Sequence, residues 1–265
     1  MMLVGPFKQI IPMTNLSLKG AIRDDQLEII EDGGILIEGN KIQAVGNFAK
    51  MQALVKSNAT DVQQLSGDHI CLPGFVDAHT HICFGGSRAN DYAMRNSGKT
   101  YLEISKAGGG IWDTVTQTRK SSKEELTKGI VKRAKRHLTN GVTTVEVKSG
   151  YGLSIEEELK MLYAIQEANN LIALDLIPTC LAAHMFPKDF QGSPAEYLEE
   201  IANQLLPRLI KEKLAHRVDA FIEEGAFTPE LIEPYFNKAS ELGFDITVHA
   251  DQFSTGGSNV AVQHK

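Results

Sequence analysis

Residues 70–84 read ICLPGFVDAHTHICF, and the organisation of the chain follows from this stretch. An apolar run breaks at Pro73-Gly74 and resumes as FVDAHTHICF. In an extended strand side chains alternate between faces, so Asp77, His79 and His81 are expected to form one polar row. Two imidazoles one strand-step apart can reach a single divalent cation at about 2.0–2.1 Å each. Leu72, Phe75 and Val76 read as a strand entering a core, which puts the row at the C-terminal end of that strand. Parallel α/β barrels keep their chemistry at that end. His79 and His81 are therefore read as metal ligands rather than as two solvent-facing histidines.

Outward from this strand, residues 1–73 read as a small β-rich module. GILIE (Gly34–Glu38) alternates, Gly39-Asn40 supplies a hairpin turn, and KIQAV (Lys41–Val45) returns. A helical piece over Phe48–Lys56 and short strands over Asp61–Leu65 and His69–Leu72 follow. From residue 74 the rhythm becomes strand, loop, helix, strand. The connection from Ile82 to Ser121 is long for a βα loop and is expected to cover the site. It carries a helical TYLEISK, three glycines at 108–110, and a helical IWDTVTQTRK. Ser122 with Glu125, and Ser154 with Glu157, are capping-box patterns opening helices to Asn140 and Asn170. Ser193-Pro194 and Thr228-Pro229 open two more. The intervening strands are expected at Val142–Val147, Leu171–Ile177, Val218–Ile222 and Phe244–His249. Alternation of this kind implies a parallel sheet with right-handed crossovers, that is, a TIM-like (β/α) barrel over residues 74–265. A closed barrel takes eight strands, so the five read here are expected to be the N-terminal part of a longer protein.

Composition narrows the function classes. The 265 residues are 42% hydrophobic and 23% charged with a formal net charge of −6, so no basic surface invites nucleic acid. The densest basic stretch, Lys128–Arg136, falls on a helix and reads as a solvated face. Cys71, Cys83 and Cys180 have no CxxC spacing and no base arranged beside them, which fits a reducing, cytoplasmic setting and excludes a disulfide framework. No run of eighteen apolar residues is present, so no membrane-spanning helix is expected. Gly108–Gly110 lacks the Lys-Ser/Thr ending of a P-loop.

Strand ends in a barrel converge on one mouth. The polar residues collected there are His79, His81, Arg88, Glu146, Lys148, Tyr151, His184, Glu223, Glu224, His249, Asp251 and Gln252. His249, closing the fifth strand in VHADQ, adds a third imidazole to the metal set. Three histidines leave room for a water, whose pKa a zinc ion can lower to about 7. His184, in LAAHMFP, either orients or polarises a substrate or is a loop histidine bonded to backbone. Arg88, in FGGSRAN, offers a planar fork suited to a substrate carboxylate, or is a surface arginine. Tyr151 offers a hydroxyl on an open turn between two glycines. His69, His137, His216 and His264 fall away from the strand ends.

PGFVDAHTH after a β-rich module resembles the metal-dependent amidohydrolase superfamily. More narrowly, FGGSRANDYAMR, TYLEI, GGGI, TTVEVKSGYGL, LAAH and VHADQF together resemble the imidazolonepropionase family of histidine degradation. The resemblance covers essentially the whole chain. It implies an amidohydrolase barrel beside an N-terminal β-sandwich module, and one zinc or iron ion held by His79, His81 and His249 with an aspartate from a later strand. It also implies substrate contacts from Arg88, Tyr151, His184 and Gln252, with His184 and Gln252 in catalytic positions. The reaction implied is hydrolysis of the ring C–N bond of 4-imidazolone-5-propanoate by a metal-activated water, in a cytoplasmic enzyme and possible homodimer. Some members carry Glu where this chain has Gln252, and an amide cannot serve as a general base. The expected aspartate is not within these residues. Two other readings compete: a nucleobase-type deaminase of the same superfamily, which gives Arg88 no anion to hold, and a non-catalytic relative, which would have no use for the histidines.

Overall fold

The computed structural model describes all residues except 56–59, 101–102, 105–106 and 265. The chain divides into two units, Met1–Gly74 and Phe75–Lys265. In the first, β1 (Met2–Ile10) pairs antiparallel with β2 (Ile30–Glu38), and β2 with β3 (Lys41–Asn47). The hairpin of β2 and β3 turns at Gly39-Asn40, with Gly39 at φ +60°, where a residue without a Cβ is unstrained. Helix α1 (Phe48–Leu54) follows, opened by Asn47, whose side chain accepts from the Lys50 amide. β4 (Asp61–Gln64) and β5 (Ile70–Cys71) then pair parallel to β1. Leu3, Phe48 and Met51 form the small core. Among the described residues the module is thus one mixed sheet whose apolar face meets α1, rather than two sheets facing each other.

The second unit is built on five parallel strands in the order β10-β9-β8-β7-β6, each beside its neighbour in sequence. They are β6 (Phe75–Thr80), β7 (Val142–Lys148), β8 (Asp175–Ala183), β9 (Arg217–Ile222) and β10 (Asp245–Ala250). This is a curled partial barrel of the TIM type. Helices α2 (Ala89–Asn96) and α3 (Ile111–Lys120) lie in the long connection after β6. Of the expected TYLEISK helix, residues 101–102 and 105–106 lie outside the described residues. Helix α4 (Lys123–Thr139) has the capping box read from Ser122 and Glu125, and it buries Leu126, Ile130 and Ala134 at four-residue steps. Burying the Leu126 and Ile130 side chains contributes about 1.5–3 kcal/mol each.

Helix α5 (Ile155–Asn169) starts where Ser154 predicts, but the serine side chain makes no capping bond. Glu158 takes up amides of the preceding loop instead, as described below. The helix expected from Ser193 to Glu212 is α6 (Pro194–Glu200) and α7 (Leu206–Glu212), joined through a π-helical turn at Ile201–Leu205. Pro207 in the first turn of α7 has no N–H to donate to the preceding turn, and the wider turn accommodates it. Helices α8 (Pro229–Glu241) and α9 (Ser258–Gln263) follow.

The third barrel strand differs from the sequence expectation. Leu171–Ile177 was expected, whereas the strand is Asp175–Ala183. Leu171 is exposed in the turn after α5, and the Asn169 side chain accepts from the Leu176 amide at 2.7 Å where the strand begins. A proline inside a strand removes one donor from the ladder, and Pro178 sits inside this one. The strand nonetheless runs through it, because pairing with β9 starts only at Thr179. The strands expected at Val142–Val147, Val218–Ile222 and Phe244–His249 lie within one residue of those ends, and the first strand, Phe75–Thr80, stops just short of His81.

Candidate active site

His79 sits near the end of β6, His81 just beyond it, and His249 near the end of β10, the far edge of the same sheet. One ring nitrogen from each lies within 4.8 Å of the others. Ring centroids are 5.4 Å apart for His79 and His81, 4.4 Å for His79 and His249, and 5.2 Å for His81 and His249. The curl of the sheet brings the first and fifth strand ends together, so residues 168 positions apart place Nε2 of His81 and Nε2 of His249 at 3.1 Å.

Behind His249 lies a buried charged group. Nδ1 of His249 is 3.1 Å from the Asp219 carboxylate on β9. Because a carboxylate only accepts, Nδ1 carries the proton and Nε2 turns its lone pair inward. Asp219 also accepts from Lys148 Nζ at 2.6 Å, and Lys148 donates to Glu146 at 2.7 Å. The Thr179 hydroxyl donates to Glu146 at 2.7 Å. Burial pushes the Asp219 carboxyl up, but His249 and Lys148 outweigh it and hold the group at about 2. Burial, with the neighbouring imidazoles and Lys148, pushes His81 down to about 3, and burial lowers His79 as well. Neutral imidazoles are the form that binds cations.

Two more rings complete the cluster. His184, just past β8, stacks 5.6 Å from His81 with its ring planes 26° apart. Tyr151 lies 5.4 Å from His184 and 5.9 Å from His81. Arg88 stands just before α2, with its Nε donating to the Thr114 hydroxyl of α3 at 2.9 Å. Among the described residues its Nη2 is buried without a hydrogen-bond partner. Its charge acts on both Tyr151 and His184.

The family model for amidohydrolases ("Amidohydrolase family") matches residues 70–265. The chain belongs to the amidohydrolase family. An imidazolonepropionase of Bdellovibrio bacteriovorus is 43% identical over 259 residues, covering 94% of this chain and 60% of the relative. One from Acinetobacter baumannii is 39% identical over 244 residues, covering 92% and 60%. The chain thus spans about 60% of the length of these curated relatives. Among solved structures, an atrazine chlorohydrolase of Arthrobacter aurescens complexed with zinc superposes with a TM-score of 0.62 at 17% identity, over 100% of this chain and 58% of that one. Guanine deaminase of E. coli gives 0.58 at 18% identity, over 99% and 58%. At such identities these neighbours speak for the fold.

Within this amidohydrolase barrel, several residues expected at the mouth have other surroundings. Glu146 and Lys148 lie beneath the imidazoles as part of the buried charged group. Asp77 accepts from the His79 amide at 3.3 Å and faces His137 of α4 at 3.5 Å, so its carboxylate is directed away from the three imidazoles. Glu223 accepts from the amides of Gln252, Phe253 and Ser254 and from the Ser254 hydroxyl, and these donors hold its carboxyl below the usual range. Asp251 closes the same loop onto the amides of Gly256 and Gly257. Gln252 and Glu224 are exposed, and Gln252 is fixed through its backbone rather than its side chain. Cys83 and Cys180 are buried, and burial pushes both thiols up, Cys180 to about 12, so neither is a nucleophile.

Sequence reading passed over Asp219, Phe221, Glu158 and Thr114. Phe221 lies 6.1 Å from both His184 and His249. An aspartate inside the apolar strand VDAFI was a signal for Asp219, since a buried carboxylate has to be paired.

Proposed function

We propose that the protein hydrolyses the ring C–N bond of 4-imidazolone-5-propanoate, giving N-formimidoyl-L-glutamate, as a cytoplasmic enzyme of histidine degradation. The observation that carries this reading is the buried Nη2 of Arg88, which has no partner among the described residues, on a guanidinium close enough to act on both Tyr151 and His184 of the imidazole cluster. An arginine with a free donor in that position suits an acidic substrate and has no task with a neutral nucleobase. The named relatives, at 43% and 39% identity, support the same choice.

His79, His81 and His249 suit one zinc or iron ion. Their nitrogens converge, with Nε2 of His81 facing Nε2 of His249, and Asp219 fixes the His249 tautomer. A divalent cation there supplies Lewis acidity and lowers the pKa of a water to about 7.

The chain's own groups bind and orient. Arg88 pairs with the propanoate, its Nε held by Thr114 so that the guanidinium fork faces one way. Tyr151, half-buried, places its hydroxyl near the ring. His184 is pushed down to about 4 by burial, against the pull of the Gly150 carbonyl, and so meets the substrate neutral. Hydrolysis adds water across the ring bond: oxygen bonds to the carbonyl carbon, the C–N bond breaks, and a proton goes to the departing nitrogen.

The test is loss of the imidazolone ultraviolet absorbance on adding the protein at its natural length. Decay that stops with a chelator and returns with zinc or iron supports both the reaction and the metal. No decay from folded, metal-loaded protein overturns the substrate assignment. A second expectation concerns Arg88→Ala. A charge-assisted hydrogen bond is worth about 1.5–3 kcal/mol, so KM rises roughly 10- to 150-fold with a smaller change in kcat. A loss confined to kcat would remove Arg88 from carboxylate binding.

A further inference from the structure

Glu158, in the first turn of α5, is fully buried and touches none of the clustered imidazoles. Its Oε1 accepts from the amides of Gly152 and Leu153 at 2.8 Å each, and its Oε2 from the amide of Gly150 at 3.0 Å. Gly150 at φ +97° and Leu153 at φ +53° are left-handed turns, which let successive amides face one concavity. Here the anion filling that concavity belongs to the protein. The loop has no slack: a Cβ on Gly152 would lie 2.5 Å from the Glu158 amide nitrogen, and one on Gly150 would lie 2.8 Å from the Leu181 carbonyl.

With its amide turned to Glu158, Gly150 directs its carbonyl at Nδ1 of His184, 2.9 Å away. A carbonyl only accepts, so Nδ1 is the protonated nitrogen and Nε2 carries the lone pair. The same loop carries Tyr151 between its two glycines, 5.4 Å from the His184 ring.

We propose that Glu158 is a positioning residue: by gathering the amides of Gly150, Gly152 and Leu153 it aims Tyr151 and the Gly150 carbonyl, and so fixes His184 as a hydrogen-bond acceptor through Nε2. A ligand meeting His184 then has to present an N–H or O–H donor there, and a bare carbonyl oxygen is disfavoured. A glutamine cannot replace Glu158 without loss, because its NH₂ group would point a donor at a donor. The inference rests on the proposed reaction only for the identity of that ligand.

The measurement is made on the substrate-free, metal-free protein, so it stands or falls separately from turnover. Imidazole nitrogen-15 shifts at neutral pH are expected to show His184 as the Nδ1–H tautomer. In Glu158→Gln they are expected to show both tautomers, with exchange of the Gly150, Gly152 and Leu153 amides faster by about tenfold or more. A role confined to stability would lower the melting temperature and leave the tautomer as it was, and that result overturns the proposal. So does a wild-type His184 protonated on Nε2. If Glu158→Gln does not fold, amide exchange in the wild type decides: protection at these three positions supports the clamp, and exchange at the rate of an open loop overturns it.

Discussion

Replacing His79 and His81 together with alanine lowers the affinity of the chain for zinc or iron(II) by more than about 100-fold, since loss of a single outer partner of a metal-bound histidine already costs 10–100-fold. Competition against a chromophoric chelator reads this without any substrate. His79 is exposed and His81 half-buried, so the variant keeps the fold and melting temperature of the metal-free protein. Asp219→Asn is the intermediate case. Its amide cannot accept from both His249 and Lys148 as the carboxylate does, and its NH₂ group would face one of those donors. The expected loss is about 10- to 100-fold. Equal affinity in all three proteins would show that the imidazoles approach each other for some reason other than a cation.

Lys148→Met removes the only cation of the buried group. It leaves Glu146 and Asp219 facing each other in a setting where Oε2 of Glu146 already lacks a partner. Breaking a buried ion pair from one side costs about 3–5 kcal/mol, because the remaining charges have neither water nor a counter-ion. For a unit of this size that is a fall in melting temperature of roughly 6–20 °C. Adding Glu146→Gln and Asp219→Asn to Lys148→Met is expected to recover part of the loss, since uncharged groups cost less to bury. A fall below about 1 kcal/mol for Lys148→Met alone would mean that the three groups do not act as an ionised set. The cluster connects β7, β8 and β9 to His249 on β10, so the pairing that stabilises the sheet also orients the imidazole.

Local chemistry was legible wherever a residue acts through its own spacing. The HxH pair at the end of an apolar strand, the Ser122–Glu125 box, the Gly39-Asn40 turn and four of the five barrel strands follow from periodicity and capping alone. The strand read at Leu171–Ile177 begins only at Asp175, because Leu171 is exposed in the turn that follows α5. His249 could be named a third ligand from VHADQ, but its 3.1 Å approach to His81 exists only because a curled sheet closes its two edge strands toward each other. Glu146 and Lys148 alternate on β7 as mouth residues would. Only the positions of Asp219 and Thr179 on the neighbouring strands turn them into a buried group beneath the mouth. Glu158 was invisible as anything but a helix surface charge, since its role depends on a loop folding back over the helix start. By itself the sequence determined the element order, the three histidines that cluster, and the family. The tertiary structure decided which charges are buried and which nitrogen of His184 and of His249 is bare, because both depend on partners supplied from other parts of the chain.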